Sequence, residues 1–118
     1  MTTRAATVTI NADKTGLAVW LGLDQNDDGE GVAIGRYADK TIQVVGAFGS
    51  GGDVDMEGSN DGGTTWGQLH DLRGTVISIG DSLPVVPEES PLLIRPNVSA
   101  GDGDTDLDVY IAFTVKGA

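Results

Sequence analysis

The sequence contains no cysteine. Disulfides, thiolate nucleophiles and cysteine-ligated metal centres are thereby excluded, and the fold has to hold by packing alone. Bases are scarce as well: 7 Lys and Arg stand against 18 Asp and Glu, a formal charge of −11. Phosphate backbones and anionic headgroups repel a surface of that sign, which argues against nucleic acid and membranes as partners. No apolar run approaches the ~18 residues of a membrane helix, and the N-terminus shows no signal-peptide pattern. A soluble chain kept in a cytosol-like compartment is expected. Aromatic residues make up only 5% of the sequence, few for a sugar platform of exposed rings. Trp20, Trp66, Tyr37 and Tyr110 are the candidates for such a platform, and both tryptophans are expected in the core instead.

Room for helices is also lacking. Glycine occurs 18 times, and only Met1 to Thr15 and Asp104 to Lys116 run for thirteen or more residues without Gly or Pro. Both stretches alternate apolar and polar residues, the period of a strand and not of a helix. Fourteen of the acids are Asp and four are Glu. Asp favours turns, so much of the acidity is read as the chemistry of loop tips.

What is present reads as one all-β domain. At 118 residues the chain matches the common size of a single domain and buries roughly two-thirds of its unfolded surface, so oligomer formation would add to a modest core. Leu107, Val109, Ile111, Phe113 and Val115 alternate with Asp106, Asp108, Tyr110, Ala112, Thr114 and Lys116, predicting a long strand in the middle of a sheet. Ala6 to Ala12 and Leu17 to Leu23 predict a hairpin. Trp20 falls out of register with Leu17, Val19, Leu21 and Leu23, so both faces of that strand are expected to be covered. Further strands are predicted at Val32 to Ile34, Thr41 to Phe48, Val54 to Gly58, Trp66 to Leu69, Thr75 to Ile79 and Leu92 to Val98. Eight or nine short antiparallel strands separated by turn residues predict a β-sandwich or jelly-roll-like domain. All four prolines lie in Leu83 to Pro96, read as a sheet edge because proline cannot donate to a ladder. Met1 to Ala6 is expected to be a loose arm.

Candidate sites are few. Asp24-Gln25-Asn26-Asp27-Asp28-Gly29-Glu30 matches the front half of a calcium loop, with Asp24, Asn26, Asp28 and Glu30 as alternate oxygen ligands. Gly35 stands where the closing bidentate Glu would be, so a solvated acidic loop is the simpler reading and a short calcium turn the alternative. Asp102, Asp104, Asp106 and Asp108 read as an exposed hairpin turn leading into the last strand. Gly46, Gly49, Gly51 and Gly52 lack the Lys of a phosphate loop and read as a hairpin tip. His70, the lone histidine, would have to serve any acid-base triad, and none of Ser59, Ser78, Ser82, Ser90 and Ser99 sits in a nucleophile elbow. No enzyme activity and no cofactor are expected.

One segment is more specific. Glu57-Gly58-Ser59-Asn60-Asp61-Gly62-Gly63 is followed by Trp66 and Leu69, then by His70-Asp71-Leu72-Arg73-Gly74 and an apolar strand. Ile94-Arg95-Pro96-Asn97-Val98, a Gly/Asp/Thr loop and the final strand complete the order. Over about residues 41 to 116 this resembles the head decoration, or cement, proteins of tailed bacteriophages, which share the hairpin and the sequence of parts after it. The resemblance implies a non-enzymatic virion protein on the outer capsid surface, made in the host cytoplasm, that binds neighbouring major capsid subunits as a homotrimer. Met1 to Thr9 and the Leu83 to Pro96 edge are the expected capsid contacts, because an arm or edge can add a strand to a neighbour. The hairpin is also similar to that of discoidin-type jelly rolls. This implies the alternative of a carbohydrate- or calcium-dependent binding module, although that family's flanking cysteines are absent.

Overall fold

The computed structural model describes residues 2–115, and the expectations for Met1 and Lys116 fall outside them. The described residues form two packed sheets and no helix. One sheet runs in the order β1 (Thr3–Arg4), β4 (Asp28–Gly29), β9 (Leu93–Ala100), β6 (Asp53–Ser59), β7 (Gly67–Gln68), with β8 (Ser78–Ile79) also paired to β6. The other runs β2 (Ala6–Ile10), β3 (Thr15–Leu23), β10 (Asp106–Thr114), β5 (Ala38–Ala47). All pairings are antiparallel except β1 with β4. This all-β sandwich fulfils the expected fold class. Val32 to Ile34 contributes only a bridge from Val32 to Ile94.

The last strand lies between β3 and β5, as its unbroken alternation predicts. Leu107, Val109, Ile111 and Phe113 point into the core with Trp20, Ile42, Met56 and Ile94. The pattern of β3 resolves differently from the expectation that both its faces are covered. Ala18 and Trp20 are buried while Leu17 and Leu21 are exposed. Leu23 nevertheless returns to the core, because Leu21 and Gly22 together oppose Asp108 across a bulge. Gly22 takes the left-handed conformation there, at φ 70°, which glycine adopts without steric cost. An extra residue has flipped the face, leaving an outer surface and not a second core.

Pro96 also departs from expectation, since it is buried in β9 with β6 on one side and β4 on the other. Ile94 and Val98 donate to the Val32 and Asp27 carbonyls on the β4 side. By alternation the missing Pro96 donor faces the same way. The Glu30 carbonyl nearby is satisfied instead by the Trp20 indole N–H at 3.0 Å. A Cβ on Gly29 would lie 2.6 Å from both Pro96 and Trp20, so this contact requires glycine. The edge reading does hold for Val85, which exchanges both backbone hydrogen bonds with Ile42 on the open side of β5.

Two supposed hairpins are crossovers. Gly46 still belongs to β5, and residues 48–52 carry the chain from β5 in one sheet to β6 in the other, while residues 101–105 carry it back from β9 to β10. The two lie side by side: the Thr105 hydroxyl donates to the Phe48 carbonyl at 2.9 Å, and Ser50 N–H donates to Asp102 at 2.9 Å. The N-terminal segment expected to be loose is likewise tied down. Thr3 and Arg4 pair in parallel with Asp28 and Gly29, and Arg4 bridges to Asp24 and Asp27.

Candidate functional site

The acidic loop of residues 24–30 is organised around Asp27, a residue outside the predicted ligand set. Its carboxylate accepts the backbone N–H of Asp24 at 2.9 Å and of Thr2 at 3.0 Å, and Arg4 Nε at 3.0 Å. Burial pushes the Asp27 pKa up, but these donors outweigh it and leave the group below its ordinary value. The predicted ligands point to separate partners. Asp24 meets Arg4, Asp28 meets Thr3 and Arg95, and Glu30 accepts the Ala6 N–H. Asn26 occupies a left-handed turn position at φ 67°. Among the described residues no group of three or more His, Asp or Glu side chains is placed to hold a metal ion. The Asp27 carboxylate reaches back three residues to the Asp24 N–H, the spacing of the backward bond in a capping box, and that spacing is the signal the sequence carries.

The Glu57 to Trp66 segment is a hairpin between β6 and β7, with residues 60–66 as its loop and not a tight two-residue turn. Its hydrogen-bonding groups are turned inward. Asp61 accepts from Thr64 N–H, Thr65 N–H and the Ser59 hydroxyl, and these bonds, Thr65 first, hold its pKa at about 2. Ser59 in turn accepts the Gly63 N–H, and Asn60 accepts the Leu92 N–H. Gly62 and Gly63 are both left-handed, at φ 80° and 92°. The shared motif thus encodes how the loop folds.

Trp66 is only half-buried, contrary to its expected core role. Its indole N–H donates to the Gly63 carbonyl, and the Arg95 guanidinium lies over its ring, 4.1 Å from the centroid. Arg95 also pairs with Glu57 at 2.9 Å and with Asp28 at 3.2 Å. One cation therefore links β4, β6, β9 and the hairpin loop on the outer face of the larger sheet.

His70 holds Glu89 through Nδ1 at 2.6 Å, and its backbone N–H donates to the other carboxylate oxygen at 2.8 Å. Burial raises the Glu89 pKa, but the bonds to His70 bring it below the usual value. The pair joins the 70–76 turn to the 85–91 strap and so has a structural use. The Asp102 carboxylate caps the second crossover by accepting the Ser50 and Asp104 N–H groups, and Asp108 accepts the Gly22 N–H at the bulge.

The two outer faces of the sandwich differ sharply in charge. That of the larger sheet carries Asp28, Asp55, Glu57 and Arg95, with Ser78 bonded to Asp53 and Asp55. The register of the smaller sheet places Thr7, Thr9, Leu17, Val19, Tyr110, Ala112, Thr41 and Gln43 together on its outer face. None of these is charged, and the acids stand at the ends of the sheet, Asp106 and Asp108 beside the bulge and the exposed Asp39 at the start of β5. On a chain of charge −11, an area without ions is where another protein surface can approach at least electrostatic cost. Sequence reading missed this face because the bulge at Leu21 and Gly22 conceals which residues of β3 point outward.

Comparison with protein-family models, with curated proteins and with solved structures gives no match.

Proposed function

We propose that this protein is a non-enzymatic structural protein of a tailed-phage virion. It decorates the outer capsid surface as a homotrimer, binds neighbouring major capsid subunits after the shell has expanded, and holds them together. The observation that carries the reading is the uncharged outer face of the four-stranded sheet on an otherwise strongly acidic molecule. Such a molecule suits the exterior of a shell better than its DNA-facing interior. It also has a broad surface on which protein can pack. The Glu57 to Trp66 hairpin and the order of elements after it support the same reading through their resemblance to decoration proteins. The calcium-dependent alternative loses its motivation in the loop of residues 24–30, where Arg4, Arg95, Thr3 and a backbone amide already engage the carboxylates.

Co-sedimentation tests the proposal. The purified chain should pellet with expanded, undecorated capsids at a saturable ratio to the major capsid protein and remain in the supernatant with unexpanded shells. Failure to bind either form, or equal binding to both, contradicts it.

A further inference from the structure

The end of the sandwich where β5 and β9 begin and β6 finishes holds a depression of about 460 Å³. Its walls come from three separate stretches: Ala33 and Arg36 ahead of β5, Gly62 in the hairpin loop, and Leu92 and Leu93 where β9 starts. Leu92 is 63% exposed, although its backbone is fixed by donating to the Asn60 side chain at 2.8 Å. The surrounding backbone is held just as closely. Val32 exchanges both hydrogen bonds with Ile94, and a Cβ on Gly35 would collide with the Pro91 carbonyl. The buried Lys40 ammonium donates to the Gly35 carbonyl at 3.0 Å, to the Tyr37 carbonyl at 2.5 Å and to the Ser90 hydroxyl at 3.3 Å. The walls are thus in place before any ligand arrives, which lowers the ordering cost of binding.

Charge selects the occupant. Arg36 donates to the Tyr37 hydroxyl at 3.1 Å and lies over that ring, 5.0 Å from its centroid. Tyr37 is itself stacked on Phe113 of the core, with centroids 4.8 Å apart, so the guanidinium has a fixed seat and most of its donors unused. Arg4 and Arg95 each pair with two carboxylates, whereas among the described residues neither Arg36 nor Lys40 has one within ion-pair distance. No acid lines the depression. The Asp61 carboxylate, next to Gly62 in sequence, is turned onto Thr64 N–H, Thr65 N–H and the Ser59 hydroxyl. The depressions around Val85, by contrast, have Asp71 and Asp81 in their walls.

We infer that this depression is a binding site for a small monocarboxylate with an aliphatic body, its carboxylate on Arg36 and its body against Ala33, Leu92 and Leu93. Guanidinium and carboxylate match as a planar, two-pronged pair. Mostly apolar walls with one fixed charge are the usual make-up of a small-molecule site, and the volume lies within the usual range for one. On a chain with 18 acids, an arginine that faces apolar side chains and no carboxylate of its own is a seat for a carboxylate from elsewhere. The site shares no residue with the uncharged sheet face and stands whether or not the capsid reading does.

Equilibrium dialysis with labelled octanoate tests the assignment, with octanamide as the uncharged body and acetate as the bare headgroup. Octanoate should bind at a single site per chain, about tenfold more tightly than octanamide, the effect of hydrogen bonds to a charged group. Acetate should show no saturable binding. Arg36 and Leu92 are both exposed, so Arg36→Gln and Leu92→Asp should fold, as their melting curves will show. Arg36→Met and Ala33→Asp serve as second variants of the cation and the wall. Arg36→Gln should bring octanoate down to the affinity of octanamide, and Leu92→Asp should abolish its binding. Arg73→Gln, which removes a guanidinium away from this depression, should leave it unchanged. Absence of saturable octanoate binding, equal affinity for octanamide or acetate, or full affinity in the cation or wall variants would overturn the inference. An equal loss in Arg73→Gln would trace the binding to net charge and overturn it as well.

Discussion

Trp20→Ala is expected to lower the free energy of unfolding by about 3–5 kcal/mol, the range for removing a large aromatic side chain from a packed core. The residue is fully buried, and it does more than fill volume. Its indole lies against Gly29 and Pro96 in the opposite sheet and donates to the Glu30 carbonyl. Truncation therefore opens a cavity between the sheets and leaves that carbonyl beside a proline that cannot replace the donor. Trp20→Phe should recover part of the packing loss but not the hydrogen bond. Trp66→Ala is the control, because that ring is half-buried and its stacking with Arg95 is worth about 0.5–1 kcal/mol. Urea unfolding of the three variants gives the ranking directly. Equal losses at Trp20 and Trp66 would contradict the assignment of Trp20 as the pin between the sheets.

Arg95→Ala should cost about 2–4 kcal/mol, at or below the range for breaking a buried ion pair because this site is partly open to solvent. The Arg95 side chain is 20% exposed and its partners Asp28 and Glu57 are 9% and 17% exposed. Without the guanidinium two carboxylates are left in a partly desolvated site, and the Trp66 ring loses its cation. Asp28 keeps the Thr3 hydroxyl as a donor at 2.6 Å, which moderates the loss at that end. Arg95→Lys should recover little, since a single ammonium cannot reproduce the planar fork that reaches both acids while covering the ring. Denaturant midpoints measured at low and high salt provide the check. A loss under about 1 kcal/mol would place Arg95 with ordinary surface pairs.

The features that sequence made legible are those carried by neighbours along the chain. The alternation from Leu107 to Phe113 determines both the strand and its buried face, and turn residues bound β6 and β9 to within a residue or two. What escaped depends on partners far away in sequence. Period-two counting cannot register that Gly22 adds a residue, so Leu17 and Leu21 could not be placed on an open face. Glycine- and aspartate-rich connections look alike whether the chain returns within a sheet or crosses between sheets, which is why residues 46–52 and 101–105 read as hairpins. Pro96 broke the edge rule because Trp20, 76 positions earlier, satisfies the carbonyl that the proline cannot. The N-terminal segment looked loose because its anchors, Asp24, Asp27 and Asp28, lie 20 to 25 residues on.

The candidate site was legible only in part. The Glu57 to Trp66 motif was visible at once, but its atoms are spent on folding the loop and on seating Arg95. The acidity proved to be largely turn chemistry, as at Asp61, Asp102 and Asp27. The surface proposed for assembly is defined by an absence of charge that emerges only when β2, β3, β10 and β5 are laid side by side.

Stabilisation of the shell is the central claim, and heating tests it most directly. Expanded, DNA-filled capsids stripped of this protein are warmed alongside capsids to which the purified chain has been restored, and the temperature of DNA release is recorded. Because a ligand that binds only the assembled lattice stabilises it by mass action, the restored capsids should hold their DNA to a higher temperature, rising with protein concentration until the sites are full. Release at the same temperature with the sites empty and full would contradict the account.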